Sequence, residues 1–235
     1  MKKLITLCTY NERENLAELI PVLLQTDQEA DLLVVDDNSP DGTSDLIASL
    51  AADHSRIHLI RRPQKLGLGT ATTAAFAFGL QNNYDLLLNL DADFSHSPDV
   101  IPKLFAAVQN CDIAIASRYV QGGGVLGWSL GRKLMSQLIN IWARLMLGLR
   151  VRDTSGSFRC YRVATLQKVD WSLAIAQGFA IPEEILFRCR RVGAQMQEVP
   201  YYFDNRRHGV TKINLQESYR AVRDIMRLGL SRIVN

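Results

Sequence analysis

Asp91-Ala92-Asp93 follows the leucine-rich run from Leu86 to Leu90, so two carboxylates stand where a buried strand would end. Two hard oxygen ligands at such a point suit Mg²⁺ or Mn²⁺ bound jointly with a substrate phosphate, and they suit structural zinc poorly. In an extended backbone the two side chains point the same way, and a turn beginning at Ala92 lets them converge. An Asp-x-Asp triplet alone is equally a solvated turn, but this one has company. Upstream lie Thr9-Tyr10-Asn11-Glu12, Asp36-Asp37-Asn38-Ser39-Pro40-Asp41-Gly42-Thr43 and Lys65-Leu66-Gly67-Leu68-Gly69. Downstream come Ser117-Arg118-Tyr119 and Asp153-Thr154-Ser155-Gly156-Ser157-Phe158-Arg159. Asp36 and Asp37 set acid beside acid at another strand end, a repulsion that a donor-rich ligand would relieve. The residues after them are turn formers leading to a helix cap at Asp41 or Thr43. His96 follows the acidic triplet with no histidine partner in range, and it reads as a residue that orders the loop.

These segments need a scaffold that brings strand ends together. Leu4 to Cys8, Leu32 to Val35, Ile57 to Ile60, Leu86 to Leu90 and Ile113 to Ala116 read as strands, and Asn15 to Leu24, Thr43 to Ala51, Gly69 to Leu80 and Pro98 to Val108 as helices between them. Continuously apolar strands in regular alternation with helices predict an α/β fold, a mostly parallel sheet covered on both faces. Ligands of such sheets sit beyond the carboxyl ends of the strands, where each motif named above falls. After Arg118 the texture changes. Gly122-Gly123-Gly124 reads as a flexible break, and Arg132 to Leu147 as a helix with Leu134, Leu138, Ile141, Trp142 and Leu145 at spacings of three and four. That stripe either packs on the sheet or seats in a membrane interface, the second favoured by the Trp and the flanking basic residues. Ser157 to Arg162 reads as a further strand, Glu183 to Arg191 as a helix, and Gln195 to Phe203 as an edge strand interrupted by Pro200. Leu215 to Leu228 closes the chain as a helix with Tyr219, Val222, Ile225 and Met226 on one face.

A length of 235 residues with 47% hydrophobic and 22% charged residues fits one folded domain spanning 1–235. The cysteines, Cys8, Cys111, Cys160 and Cys189, are widely spaced and read as reduced, buried thiols. The amino terminus runs straight into a strand without a signal-peptide pattern, so a cytoplasmic protein is expected. No window offers the roughly 18 continuous apolar residues of a membrane span. Much of the acid precedes residue 100, whereas Arg118, Arg132, Lys133, Arg144, Arg150, Arg152, Arg159 and Arg162 crowd the middle. An electropositive second half suits phosphate or an anionic membrane surface. The glycines near Lys65 lack the G-x-G-x-x-G spacing, and neither a Walker-type loop nor a G-x-S-x-G elbow occurs, which removes the best support for oxidoreductase, nucleoside-triphosphatase and hydrolase readings. Basic residues without interleaved aromatics argue against nucleic acid as a partner.

The ordered series of motifs resembles the family 2 glycosyltransferases, and within them the dolichyl- or polyprenyl-phosphate mannose synthases, from about Leu4 to about Leu230. The resemblance implies a glycosyltransferase A-type, Rossmann-like fold. It implies about 1–118 as the nucleotide-sugar and metal part and about 119–235 as the acceptor-binding, membrane-facing part. On the donor side it places Thr9, Tyr10 and Glu12 along base and ribose, Asp37 on the base and Lys65 near a phosphate. It assigns the metal mainly to Asp93, with Asp91 shared between metal and ribose; where family members carry Gln or Ser this chain has Ser95, a poorer direct ligand, so water is expected to fill that coordination position with Ser95 at most supporting it. On the acceptor side it places Arg118, Arg132 and Ser136 around the acceptor phosphate. Arg206, Gly209, Thr211 and Lys212 match a basic loop that closes over the phosphates, and Asp153 borders the reacting centre. Two departures stand out: Cys8 where Pro is usual, and Pro182 where relatives carry Gln, with Glu184 the better match to the family's acidic position. The implied reaction is inverting, metal-dependent transfer of mannose from GDP-mannose to a polyprenyl or dolichyl monophosphate, by a peripheral protein on the cytoplasmic membrane face. UDP-glucose as donor is the nearest alternative, and a non-catalytic nucleotide-binding membrane adaptor the distant one.

Overall fold

The computed structural model describes residues 1–174, 176, 178, 180–204 and 215–234, with side chains of the final helix described from 219 to 231. Five strands of the first half, β1 (Lys3–Thr9), β2 (Asp31–Asp36), β3 (Ile57–Arg61), β4 (Leu86–Asn89) and β5 (Ile113–Ser117), alternate with α1 (Arg13–Thr26), α2 (Thr43–Asp53), α3 (Leu68–Gln81) and α4 (Ile101–Ala107). The second half adds β6 (Gly124–Val125), α5 (Leu130–Leu147), β7 (Arg159–Arg162), α6 (Val163–Leu166), α7 (Ile181–Arg191), β8 (Met196–Pro200), β9 (Tyr202–Phe203) and α8 (Leu215–Val234). The main sheet has seven strands in the order β3-β2-β1-β4-β7-β5-β8. Strand β7 runs antiparallel to both β4 and β5, and the other pairings are parallel.

The strands are apolar without interruption because both sheet faces are covered. Leu33 and Val35 of β2 enter one core with Leu4, Leu87, Phe76 and Leu147, while Leu32 and Val34 enter the other with Ile5, Leu88, Leu16 and Leu104. Successive residues of a strand point to opposite faces, so each layer takes alternate residues. Each side chain so buried contributes about 1.5–3 kcal/mol.

The triple glycine is a built turn. Gly124 belongs to β6 and pairs with Tyr202 of β9, and a Cβ on Gly123 would collide with the Ser117 carbonyl oxygen. The segment after Pro200 therefore does not extend the main-sheet edge: Tyr202 and Phe203 form a separate two-stranded sheet with β6.

Helix α5 starts at Ser129, whose hydroxyl accepts from the Arg132 amide, and ends at Gly148 in the left-handed region (φ 64°). Its buried face is Asn140, Ala143 and Leu147. Leu134, Leu138, Ile141 and Leu145 are 49–73% exposed, so most of the apolar stripe points away from the sheet, while Trp142 packs partly against the core. Helix α8 lies against α5, burying Ile225 and Leu228 and leaving Tyr219, Val222, Met226 and Leu230 exposed. Among the described residues no helix is long and apolar enough to cross a membrane.

Candidate active site

The carboxyl ends of β1, β2, β4 and β5 lie along one edge of the sheet, and the segment leading into β7 reaches the same edge because that strand is reversed. At the β1–β2 end, Asp36 and Asp37 are both buried but face separate donors. Asp36 accepts from the Ser39 amide (3.0 Å) and from the hydroxyls of Ser39, Ser44 and Thr9 (2.5, 2.5 and 3.2 Å). Asp37 pairs with Arg62 Nη1 (2.7 Å) and accepts from the amides of Leu66 and Gly67 (2.9 and 2.8 Å). The chain itself thus relieves the acid–acid repulsion, and Asp37 serves as the anchor of the Lys65–Gly69 loop. Lys65 places its ammonium 3.8 Å from the Tyr10 ring centroid. Glu12 accepts from Asn15 Nδ2 (2.7 Å), and its amide donates to Thr43 Oγ1 (3.2 Å). Asp41, which accepts from the Thr43 amide and hydroxyl, holds the start of α2.

At the end of β4 the carboxylates differ in exposure. The Asp91 side chain is 46% exposed, whereas Asp93 is buried and Oδ1 accepts from the Ser95 amide (3.1 Å) and hydroxyl (2.5 Å). Ser95 therefore orients Asp93. Phe94 between them has φ 63°, a left-handed conformation that costs a bulky residue of order 1 kcal/mol and is typical of site loops. His96 lies beneath, stacked on Phe158 (4.9 Å), with Nδ1 accepting the Asp91 amide (3.0 Å). Burial lowers its pKa, which keeps the imidazole neutral and fits the loop-ordering role. Among the described residues no cluster of three or more His, Cys, Asp or Glu could hold a metal alone. A carboxylate pair of this kind fits a divalent cation whose remaining ligands are substrate oxygens and water.

The third group carries the cations. Arg118 Nε and Nη2 form a fork on Asp153 (2.7 and 2.6 Å), and Nη2 also reaches Ser155 Oγ (2.8 Å). Burial opposes both charges, but each is held by the other, so the Arg118 pKa is raised and that of Asp153 lowered. Glu198 accepts from the Asp153 amide, and Asn140 of α5 accepts from the Thr154 amide and hydroxyl. Ser157 Oγ then donates to Asp91 Oδ1 (2.7 Å), joining the cationic segment to the acidic one. Arg118 Nη1 makes no hydrogen bond among the described residues, and Arg118 lines a cavity of about 320 Å³ with Tyr119, Gly123, Val125, Trp128, Lys133 and Tyr202. Ser136 shares a hydrogen bond with Tyr119 Oη (2.6 Å), and Arg132 stacks on Trp128 (4.0 Å). Arg206, Gly209, Thr211 and Lys212 lie outside the described residues.

The chain matches the family model described as Glycosyl transferase family 2 over residues 5–170. It is 38% identical over 231 residues to the undecaprenyl-phosphate mannosyltransferase of Micrococcus luteus, covering 98% of this chain and 95% of the relative. The chain belongs to glycosyl transferase family 2. It is also 39% identical to the polyprenol monophosphomannose synthase of Mycolicibacterium smegmatis over 215 residues, 91% of this chain and 81% of the relative. Among solved structures it resembles glucosyl-3-phosphoglycerate synthase from Mycobacterium tuberculosis, in complex with Mn²⁺, UDP and glucosyl-3-phosphoglycerate, with a TM-score of 0.68 and 20% identity over 98% of this chain and 79% of that one. At that identity the likeness establishes the glycosyltransferase A-type fold. This family 2 member is a glycosyltransferase whose curated relatives are polyprenol-phosphate mannosyltransferases.

Sequence reasoning missed Arg62, Asn140 and Glu198. Asn140 had a legible signal, an amide set within the apolar run from Leu138 to Ala143 of α5. Arg62 and Glu198 had none, since their partners are brought to them by sheet pairing.

Proposed function

We propose that this glycosyltransferase moves mannose from GDP-mannose to a polyprenyl or dolichyl monophosphate with inversion, using Mg²⁺ or Mn²⁺, at the cytoplasmic face of a membrane. The observation that carries the reading is the Ser157–Asp91 hydrogen bond, which couples an acidic strand end to an arginine-bearing segment within one site. Thr9, Tyr10, Glu12, Asp37 and Lys65 form the donor side, with Asp37 acting through the loop it anchors. Asp91 and Asp93 would hold the metal, which when bound offsets the charge of the departing diphosphate. Arg118 lines the acceptor cavity while Asp153 fixes its fork, and Arg132, Ser136, Arg206 and Lys212 complete the acceptor side. A lipid monophosphate arrives already ionised, so no general base is required; the site's task is to bring two anions into line. The exposed apolar rows of α5 and α8, beside Arg132, Lys133, Arg150 and Arg152, support reversible seating in an anionic membrane surface.

The deciding experiment incubates the purified protein with a panel of sugar nucleotides, polyprenyl phosphate and Mg²⁺ or Mn²⁺. A β-mannosyl lipid phosphate from GDP-mannose is expected. A glucolipid from UDP-glucose would replace the donor assignment, an α-linked product would defeat single displacement, and binding without turnover would point to the adaptor.

A further inference from the structure

One buried donor beside the cavity, Trp128 Nε1, has no hydrogen-bond partner among the described residues. Indole carries a donor only, and a buried donor left unmade costs about 1–3 kcal/mol, so its satisfaction by a ligand is favoured. The ring is held in place from two sides: Arg132 lies over it at 4.0 Å, and Phe203 meets it edge-on at 5.5 Å. It lines the same cavity of about 320 Å³ as Arg118 and Lys133, and no ion pair involves Lys133 among the described residues. Gln137 adds a polar group to that wall, and Tyr119, Val125 and Tyr202 supply apolar surface. An anion with an apolar tail satisfies all of these at once: cations for charge, one fixed N–H for an oxygen, and aromatic and aliphatic walls for a chain.

We propose that Trp128 and Lys133 read the acceptor. The indole N–H donates to an oxygen of the lipid phosphate, Lys133 supplies charge, and the cavity walls take the isoprene units next to the phosphate. This rests on the polyprenyl-phosphate reading above and adds to it a selectivity for the head end of the lipid over its total length.

Trp128→Phe keeps the ring and its packing but removes the N–H. Its KM for polyprenyl phosphate should rise about tenfold, the loss of one hydrogen bond to a charged group, with the KM for sugar nucleotide unchanged. Lys133→Met, at a half-buried position of α5 whose side chain makes no hydrogen bond or ion pair among the described residues, should raise the same KM. A second readout uses the emission difference between wild type and Trp128→Phe during titration with farnesyl phosphate, farnesol or inorganic phosphate. Saturation by farnesyl phosphate alone is expected. Unaltered acceptor kinetics in both variants, equal loss toward both substrates, or the same emission change with inorganic phosphate would each overturn the assignment. If wild type transfers to polyprenyl phosphate and the variants match it, this assignment fails while the proposed function stands. If wild type uses no lipid phosphate, the underlying reading fails instead.

Discussion

Replacing Glu183 with Gln should stabilise the protein at alkaline pH and leave it nearly unchanged in acid. Glu183 sits in the first turn of α7, 3% exposed, and its Oε2 has no hydrogen-bond partner among the described residues. Burial pushes its pKa from 4.5 up to about 7, opposed by the positive charge of Arg159. A carboxyl whose folded-state pKa lies above its unfolded value binds its proton more tightly in the native state, so stability falls as pH rises from about 4.5 through 7 and stays reduced above it. At about 1.4 kcal/mol per tenfold change in proton affinity, the full penalty is roughly 3 kcal/mol. Near pH 5 it is under about 1 kcal/mol by the same relation. Gln has nearly the shape of the neutral acid and no charge to bury. Urea unfolding of wild type and Glu183→Gln at pH 5 and pH 8 should therefore show curves that nearly coincide in acid. At pH 8 the variant should lead by roughly 2–3 kcal/mol, or about 4–12 °C in Tm for a chain of this size. Equal stability differences at the two pH values would refute the reasoning, because a merely steric effect of the amide does not depend on pH.

Asp93→Ala should keep its fold but lose nearly all transfer, which circular dichroism and a turnover assay with Mg²⁺ or Mn²⁺ would show; wild-type-like turnover would remove Asp93 from the metal site. Asp153→Ala should instead destabilise by about 3–5 kcal/mol, since it leaves the buried Arg118 guanidinium without its carboxylate, and a denaturant midpoint close to wild type would contradict the pairing. Leu138→Glu with Leu145→Glu should abolish flotation with anionic liposomes while leaving Tm within a few degrees, both positions being exposed on α5. Wild type should float less in high salt, and absence of lipid association at any salt would exclude the membrane seat.

The apolar runs at Leu32–Val35 and Leu86–Leu88 determined a sheet covered on both faces, because continuous burial of a strand admits no solvent-facing side. The acids after those runs therefore had to stand at strand ends, and the helical spacing in α5 was equally legible. What local spacing does not carry is the identity of the covering partner. The leucines of α5 form a stripe whichever way it faces, and only the packing of Asn140, Ala143 and Leu147 onto the fold decided that the stripe looks outward. Likewise Asp37 reads as an acid awaiting a donor-rich ligand until the pairing of β2 with β3 sets Arg62 beside it. The glycines after Val120 read as a loose break until the close approach of Gly123 to the Ser117 carbonyl makes them a fitted turn. The reversed β7, inserted between β4 and β5, is the largest such decision. It delivers Ser157 to Asp91 from 66 residues away, and long-range pairing of that kind is chosen by the summed burial of the whole sheet rather than by any segment within it.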